Sequence, residues 1–140
     1  MNDSSRYPPH EAPGSGAHDL VGYDVDLSDP GGTARVSLAI GPQHRNRNGT
    51  LHGGIHAMML DAAAGFAASR MLSDGGQAIV PVVTVTLTTD FVAAARDGMV
   101  EAVGRVAGGG YKIVYADAEL RDGQGRLCSR ATGVFKRAAT

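Results

Sequence analysis

His52, Gly53, Gly54 and Asp61 fall in one stretch of the chain, and their types suit chemistry at a carbonyl group. Gly53 and Gly54 precede a long apolar run that reads as a helix from about Gly54 to Arg70. A helix N-terminus presents unpaired N–H groups and a partial positive charge. Two residues without side chains leave that end open to a ligand. A carbonyl oxygen that approached the Gly54 N–H would be polarised as it gained charge in a reaction, which makes an oxyanion site. The same glycine pair also suits a plain tight turn into the helix.

Asp61 sits inside that helix, which is apolar nearly all round, so a buried acid is expected. An ionised Asp is rarely placed in a core unless something pairs with it or uses it. It is either a base or nucleophile, or a buried acid that caps backbone or pairs with an Arg. Gly54 and Asp61 are seven residues apart, so they lie on nearly one face but roughly 10 Å apart along the axis. A base or nucleophile must come within about 3–3.5 Å of the reacting carbon or its water. The two residues of one chain therefore cannot serve the same carbonyl. If both act, Gly54 of one subunit must meet Asp61 of another. His52 and His56 are four apart and suit a shared metal by spacing. No Glu follows His52, and no further His or Cys cluster supplies ligands, so no metal is expected.

The elements that position these residues follow from hydrophobic period. Residues 1–17 carry Pro, Gly, Ser and charges, and read as a flexible tail; residues 18–140 read as one domain. Leu20 to Leu27 reads as a strand or a short helix end. Thr33 to Ile40 alternates polar and apolar residues as a half-buried strand does. The helix stops at Leu72-Ser73-Asp74-Gly75-Gly76. Val82–Phe91, Met99–Ala107, Tyr111–Leu120 and Arg126–Lys136 then read as strands between Gly-rich turns, which implies an antiparallel meander. One long helix followed by strands gives an α+β fold in which the sheet curls round the helix, with a second subunit covering what one sheet leaves open.

Composition narrows the function. The 140 residues carry a net charge of −1, so no broad basic field exists to hold nucleic acid or an anionic membrane. No apolar run approaches the ~20 residues of a membrane span. The start of the sequence lacks the pattern of a signal peptide, and Cys128 is the only cysteine. A cytoplasmic protein is expected.

The spacing Asn46-x-x-Gly49-x-x-His52-Gly53-Gly54, with Asp61 nine residues past His52, resembles that of the PaaI-like acyl-CoA thioesterases of the hotdog fold. The resemblance runs through Val83-Thr84-Val85-Thr86-Leu87, the turn before Gly98, and Thr132-Gly133-Val134-Phe135. It implies a hotdog fold, a long central helix wrapped by a curved antiparallel sheet. It also implies hydrolysis of an acyl-CoA to a carboxylic acid and free CoA, with CoA as part of the substrate and no other cofactor. By the same resemblance, Gly54 or its neighbour Gly53 gives an N–H to the thioester carbonyl, and Asn46 holds and polarises it. His52 lies near the sulfur. Asp61 from the partner subunit acts as general base or nucleophile, assisted by Thr84.

CoA contacts are implied around Gly108, Gly109, Gly110, Tyr111 and Lys112, with Lys136 or Arg137. Relatives often carry a Lys where this chain has the glycine triplet, which on its own also reads as a plain hairpin turn. Thr84 alone reads equally as a strand threonine, and Asn48 replaces Asn46 if the loop register differs. Self-association as a dimer, or a dimer of dimers, is implied as well. The acyl group is not legible. Two other readings stand beside the hydrolase: a non-catalytic acyl-CoA binder, and a hotdog dehydratase or hydratase acting on acyl carrier protein.

Overall fold

The computed structural model describes residues 15–73 and 79–139. The first helix, α1 (Gly16–Val21), runs into a short strand, β1 (Asp24–Asp26). Then come β2 (Ala34–Ala39), a 3-10 turn over Pro42–His44, and the long helix α2 (Gly53–Leu72). Four strands follow: β3 (Val82–Phe91), β4 (Met99–Gly109), β5 (Ile113–Asp122) and β6 (Leu127–Arg137). All pair antiparallel in one six-stranded sheet of order β1-β2-β4-β5-β6-β3. This is the α+β hotdog arrangement, with α2 packed along the inner face of the sheet.

Of the tail expected over residues 1–17, residues 1–14 lie outside the described residues, while Gly16 and Ala17 open α1. The Leu20–Leu27 stretch divides between the end of α1 and β1. The turn Asp74-Gly75-Gly76 lies outside the described residues. The meander holds for β4, β5 and β6, but β3 is displaced to the far edge beside β6. The connection after β3 crosses the end of the sheet, where the N–H groups of Val92 and Ala93 donate to the Cys128 carbonyl. Those bonds, and Leu51 N–H to the Ala95 carbonyl at 2.7 Å, satisfy backbone that the crossing would otherwise leave unpaired.

Alternation explains the core. Val100 and Ala102 of β4, Val114, Ala116, Ala118 and Leu120 of β5, and Ala131 and Phe135 of β6 all point inward and are buried. Against them α2 buries Met59, Leu60, Ala63, Ala64, Ala67 and Ala68, an i, i+3, i+4 stripe of mostly small residues. Small residues let helix and sheet approach closely. At Gly104 the approach is closest: an added Cβ would strike the Ala63 carbonyl. The opposite face of α2 is only partly covered, with Ile55, Met58, Ala62 and Phe66 half-buried. The adjacent edge strand β3 exposes Val83 and Val85. In this single chain, then, the sheet covers one face of α2 and not its whole circumference. No helix among the described residues is long and apolar enough to cross a membrane.

The expected consequence of the Gly104 contact is that Gly104→Ala lowers stability by roughly 1–3 kcal/mol, because helix and sheet must part to admit a methyl group. Chemical denaturation of the two proteins measures it, and an unchanged midpoint would show that helix and sheet separate there without cost.

Candidate active site

The loop before α2 is built around the Asn46 side chain. Its Oδ1 accepts from the N–H of Asn48 at 2.9 Å, the N–H of Thr50 at 3.1 Å and the Thr50 hydroxyl at 3.2 Å. The Asn46 N–H also donates to the Thr50 carbonyl, and Gly49 takes the left-handed φ of 77° that the tight turn requires. With Oδ1 committed to the loop, the Asn46 amide NH2 is the end left for a ligand. Asn48 is exposed and contributes backbone to this turn, so the loop is pinned by Asn46.

His52 is the N-cap of α2, with φ −60° and ψ 135°. Its ring Nδ1 accepts from the Gly54 N–H at 2.8 Å. An acceptor nitrogen carries no proton, so the neutral ring holds its hydrogen on Nε2. The same contact explains the glycine at 54, where a Cβ would meet the ring Nδ1 at 3.0 Å. It also corrects one expectation: the Gly54 N–H is not open, because His52 already fills it. The Gly53 N–H has no acceptor among the described residues, and the Phe91 ring stands 3.5 Å from where a Cβ at Gly53 would be.

Asp61 departs from the expectation of a buried acid. It lies on the less covered face of α2 and is partly exposed. The Thr84 hydroxyl donates to Asp61 Oδ1 at 2.7 Å, which leaves Oδ2 open. A β-bulge in β3 between Thr84 and Thr86 makes this possible. Thr84 lies opposite Phe135, and Leu87 lies opposite Gly133, both inward positions of β6. The extra residue, Val85, lets Thr84 and Leu87 face the helix although they are an odd number of residues apart.

The structure thus joins Asn46, His52, Gly53 and Gly54 at one end of α2 and Asp61 with Thr84 further along it. Gly53 and Asp61 are eight residues apart, about 12 Å of rise. The hairpin after β4 lies at the Asp61 end of the sheet, since Ile113 pairs with Lys136 and Val83 with Lys136 on its other side. There the Arg137 guanidinium stacks 3.9 Å from the Tyr111 ring centroid, and its backbone N–H donates to the Lys112 carbonyl at 2.8 Å. Gly109 requires glycine: its φ is 141° and a Cβ would press on Val114. Gly108 and Gly110 meet nothing within 4 Å, so space alone does not demand glycine at either.

The spacing suits a packed His56, but sequence reading did not supply the partners of two histidines in this region. His56 is buried and bonds through Nδ1 to the buried Ser129 hydroxyl at 2.7 Å, with Phe91 edge-on at 5.5 Å between ring centroids. The apolar stripe around His56 and the strand alternation at Ser129 were the available signals, but neither names the partner. His44 is the other. It accepts from the Gly41 N–H at 2.9 Å and meets the Val21 carbonyl at 2.8 Å, tying α1 to the loop that carries Asn46. His52 and His56 direct their Nδ1 atoms to different partners, and no group of three or more potential ligands converges among the described residues.

Burial pushes the His56 imidazole below its usual pKa. Between that lowered value and about 6.5 the unfolded chain binds a proton that the folded chain refuses. Stability from this group is therefore full above about pH 6.5 and declines as pH falls below it. Measured by denaturation across this range, His56→Gln is expected to show a shallower loss on acidification than the parent protein. Equal slopes would remove His56 as the cause.

A family model described as the thioesterase superfamily matches residues 48–129. A Pseudomonas aeruginosa protein named as a candidate esterase, PA0474, is 35% identical over 118 residues, 84% of each chain. The structure of the conserved protein PA5202, also from Pseudomonas aeruginosa, superposes with a TM-score of 0.80 at 32% identity, over 94% of this chain and 100% of that one. The E. coli PaaI protein from the phenylacetic acid degradation operon shares the fold, with a TM-score of 0.77 at 22% identity over 89% of this chain and 86% of its own.

Proposed function

We propose that this chain, which belongs to the thioesterase superfamily, hydrolyses acyl-CoA thioesters at a site shared between two copies of itself. The observation that carries this reading is the Thr84–Asp61 hydrogen bond. It fixes a carboxylate in one rotamer on a partly covered helix face, with one oxygen committed and the other free for work.

In the proposed site the thioester carbonyl oxygen lies at the Gly53 N–H, with the Asn46 amide as second donor. Gly53 takes the role expected of Gly54 because the Gly54 N–H is occupied by His52. Asp61 of the partner subunit acts on the carbonyl carbon, as nucleophile or as base for a water, and Thr84 of that same subunit holds it. When the carbon–sulfur bond breaks, the thiolate leaves past His52, whose Nε2–H is the donor free to meet it. The ~12 Å between Gly53 and Asp61 along one rigid helix is what demands the second copy. The exposed edge of β3 and the half-covered face of α2 support one that lies antiparallel across both. CoA would then run out along the hairpin of Gly108, Gly109, Gly110, Tyr111 and Lys112, beside Lys136.

Asp61→Asn is expected to abolish thiol release from acyl-CoA while the assembled protein survives. Gly53→Pro, which removes the N–H, is expected to do the same. Unfolding both and refolding them together is expected to restore about a quarter of wild-type activity. Half the dimers are then mixed, and each mixed dimer holds one intact site of two. No recovery in mixtures that demonstrably exchange subunits would reject a shared site. Full activity of Asp61→Asn alone would reject the mechanism.

A further inference from the structure

Phe91 ends β3 opposite Ser129, an inward position of β6, yet its side chain is 58% exposed. Single exposed apolar side chains are ordinary on a protein surface. This one is braced by buried groups and stands at a particular donor. The His56 ring lies nearly perpendicular to it, at 77°, with 5.5 Å between ring centroids. His56 is itself held by the Ser129 hydroxyl at 2.7 Å, and both of those residues are buried. The backbone just past Phe91 is tied as well, since the N–H groups of Val92 and Ala93 donate to the Cys128 carbonyl at 2.8 and 3.0 Å. Toward α2, Phe91 Cε1 lies 3.5 Å from the position of a Cβ on Gly53. Bond geometry then puts that ring atom within about 6 Å of the Gly53 nitrogen. An exposed aromatic ring on a rigid mount thus stands beside the N–H that has no acceptor among the described residues.

We infer that Phe91 shields the Gly53 N–H from water and so strengthens its hold on the thioester carbonyl, with His56 and Ser129 acting through Phe91 as positioning residues. The inference rests on the acyl-CoA reading above and adds a residue to its site. Water beside a carbonyl oxygen competes for the same N–H and screens its dipole. An apolar ring donates no hydrogen bond, but it removes that competitor from one side. The gain grows with the charge on the oxygen, so it is larger in the tetrahedral state than with the substrate merely bound. The ring therefore acts on kcat more than on KM. A ring free to swing would leave water a path, and the perpendicular contact with His56 restrains it. The Ser129 hydroxyl fixes His56 in turn, so a buried polar pair one turn into α2 sets how well the first N–H of the helix is covered.

Thiol release from an acyl-CoA by the full chain tests this with three variants at position 91. Phe91→Ala is expected to lower kcat about tenfold or more with KM changed by less than about twofold. Phe91→Leu and Phe91→Gln have similar reach and differ in polarity, so the first is expected to keep most of the parent kcat and the second to fall with Phe91→Ala. This pair carries the test where the alanine variant does not fold. Affinity for an S-alkyl-CoA, a thioether without a carbonyl, is expected to be the same in Phe91→Ala as in the parent. Ser129→Ala is expected to lower kcat several-fold in the parent and to add nothing in the Phe91→Ala background. Thermal melts and sedimentation report the folding and assembly of each variant. Parent-like kcat in folded Phe91→Ala overturns the inference, as does equal kcat in the Leu and Gln variants. A loss confined to KM and thioether affinity overturns it too, because the ring is then a packing surface for the ligand. So does a loss that travels with dissociation, because the ring then serves assembly. Additive losses from Ser129→Ala and Phe91→Ala reject the positioning role of His56 and Ser129. No thiol release by the parent from any acyl-CoA rejects the hydrolase itself and the shield with it, whereas the preceding outcomes leave the hydrolase standing.

Discussion

The Ala63 carbonyl of α2 rests against the α-carbon of Gly104 in β4, and the rest of the molecule follows from how close that contact is. A helix seated so near a sheet must show it small residues, so the buried stripe is Ala63, Ala64, Ala67 and Ala68 with Met59 and Leu60. Larger side chains at those positions would lift the helix. Seating fixes both rotation and height. With the alanine stripe against the sheet, Asp61 is carried to the side of β3, and the first turn is carried to the loop that holds Asn46 and to Phe91 at the end of β3. Close packing therefore does the positioning of these side chains, although none of the packed residues has any reactive group.

Much of this was legible in the sequence, and for definable reasons. β3 falls on the expected residues because β-branched alternation leaves little choice of period. The helix and remaining strands shift by a residue or two at their ends, where frayed termini carry the weakest signal. The displacement of β3 to the far edge was not legible, since local pattern says nothing about which neighbour a strand finds. Asp61 was expected to be buried because every residue around it is apolar. In the single chain the apolar residues beside it are only partly covered, and apolar composition does not distinguish a core from an open face awaiting cover.

The site residues divide in the same way. Gly53, Gly54, His52 and Asp61 stood out by type and spacing, but which N–H is free did not. That depends on one imidazole rotamer, and the Gly54 bond to His52 decides it. The His56–Ser129 bond joins residues 73 apart in the chain, so neither residue announces the other. Buried polar pairs of this kind are settled by tertiary register, which hydrophobic period does not encode. The histidines also share a trait. His44 and His52 each accept a backbone N–H on Nδ1.

Alternation along a strand is a phase, and in β3 the bulge at Val85 resets it. Residues before the bulge and residues after it obey opposite parity, so the strand is two half-strands joined out of step. Val82 and Thr84 face the helix from the first half, and Leu87, Thr89 and Phe91 from the second. The two halves are independently tuned: the first sets the hydroxyl beside Asp61, the second sets the aromatic ring over Gly53. Loss of Val85 would therefore join the halves in step, turning two parities into one while each half kept its partners on β6.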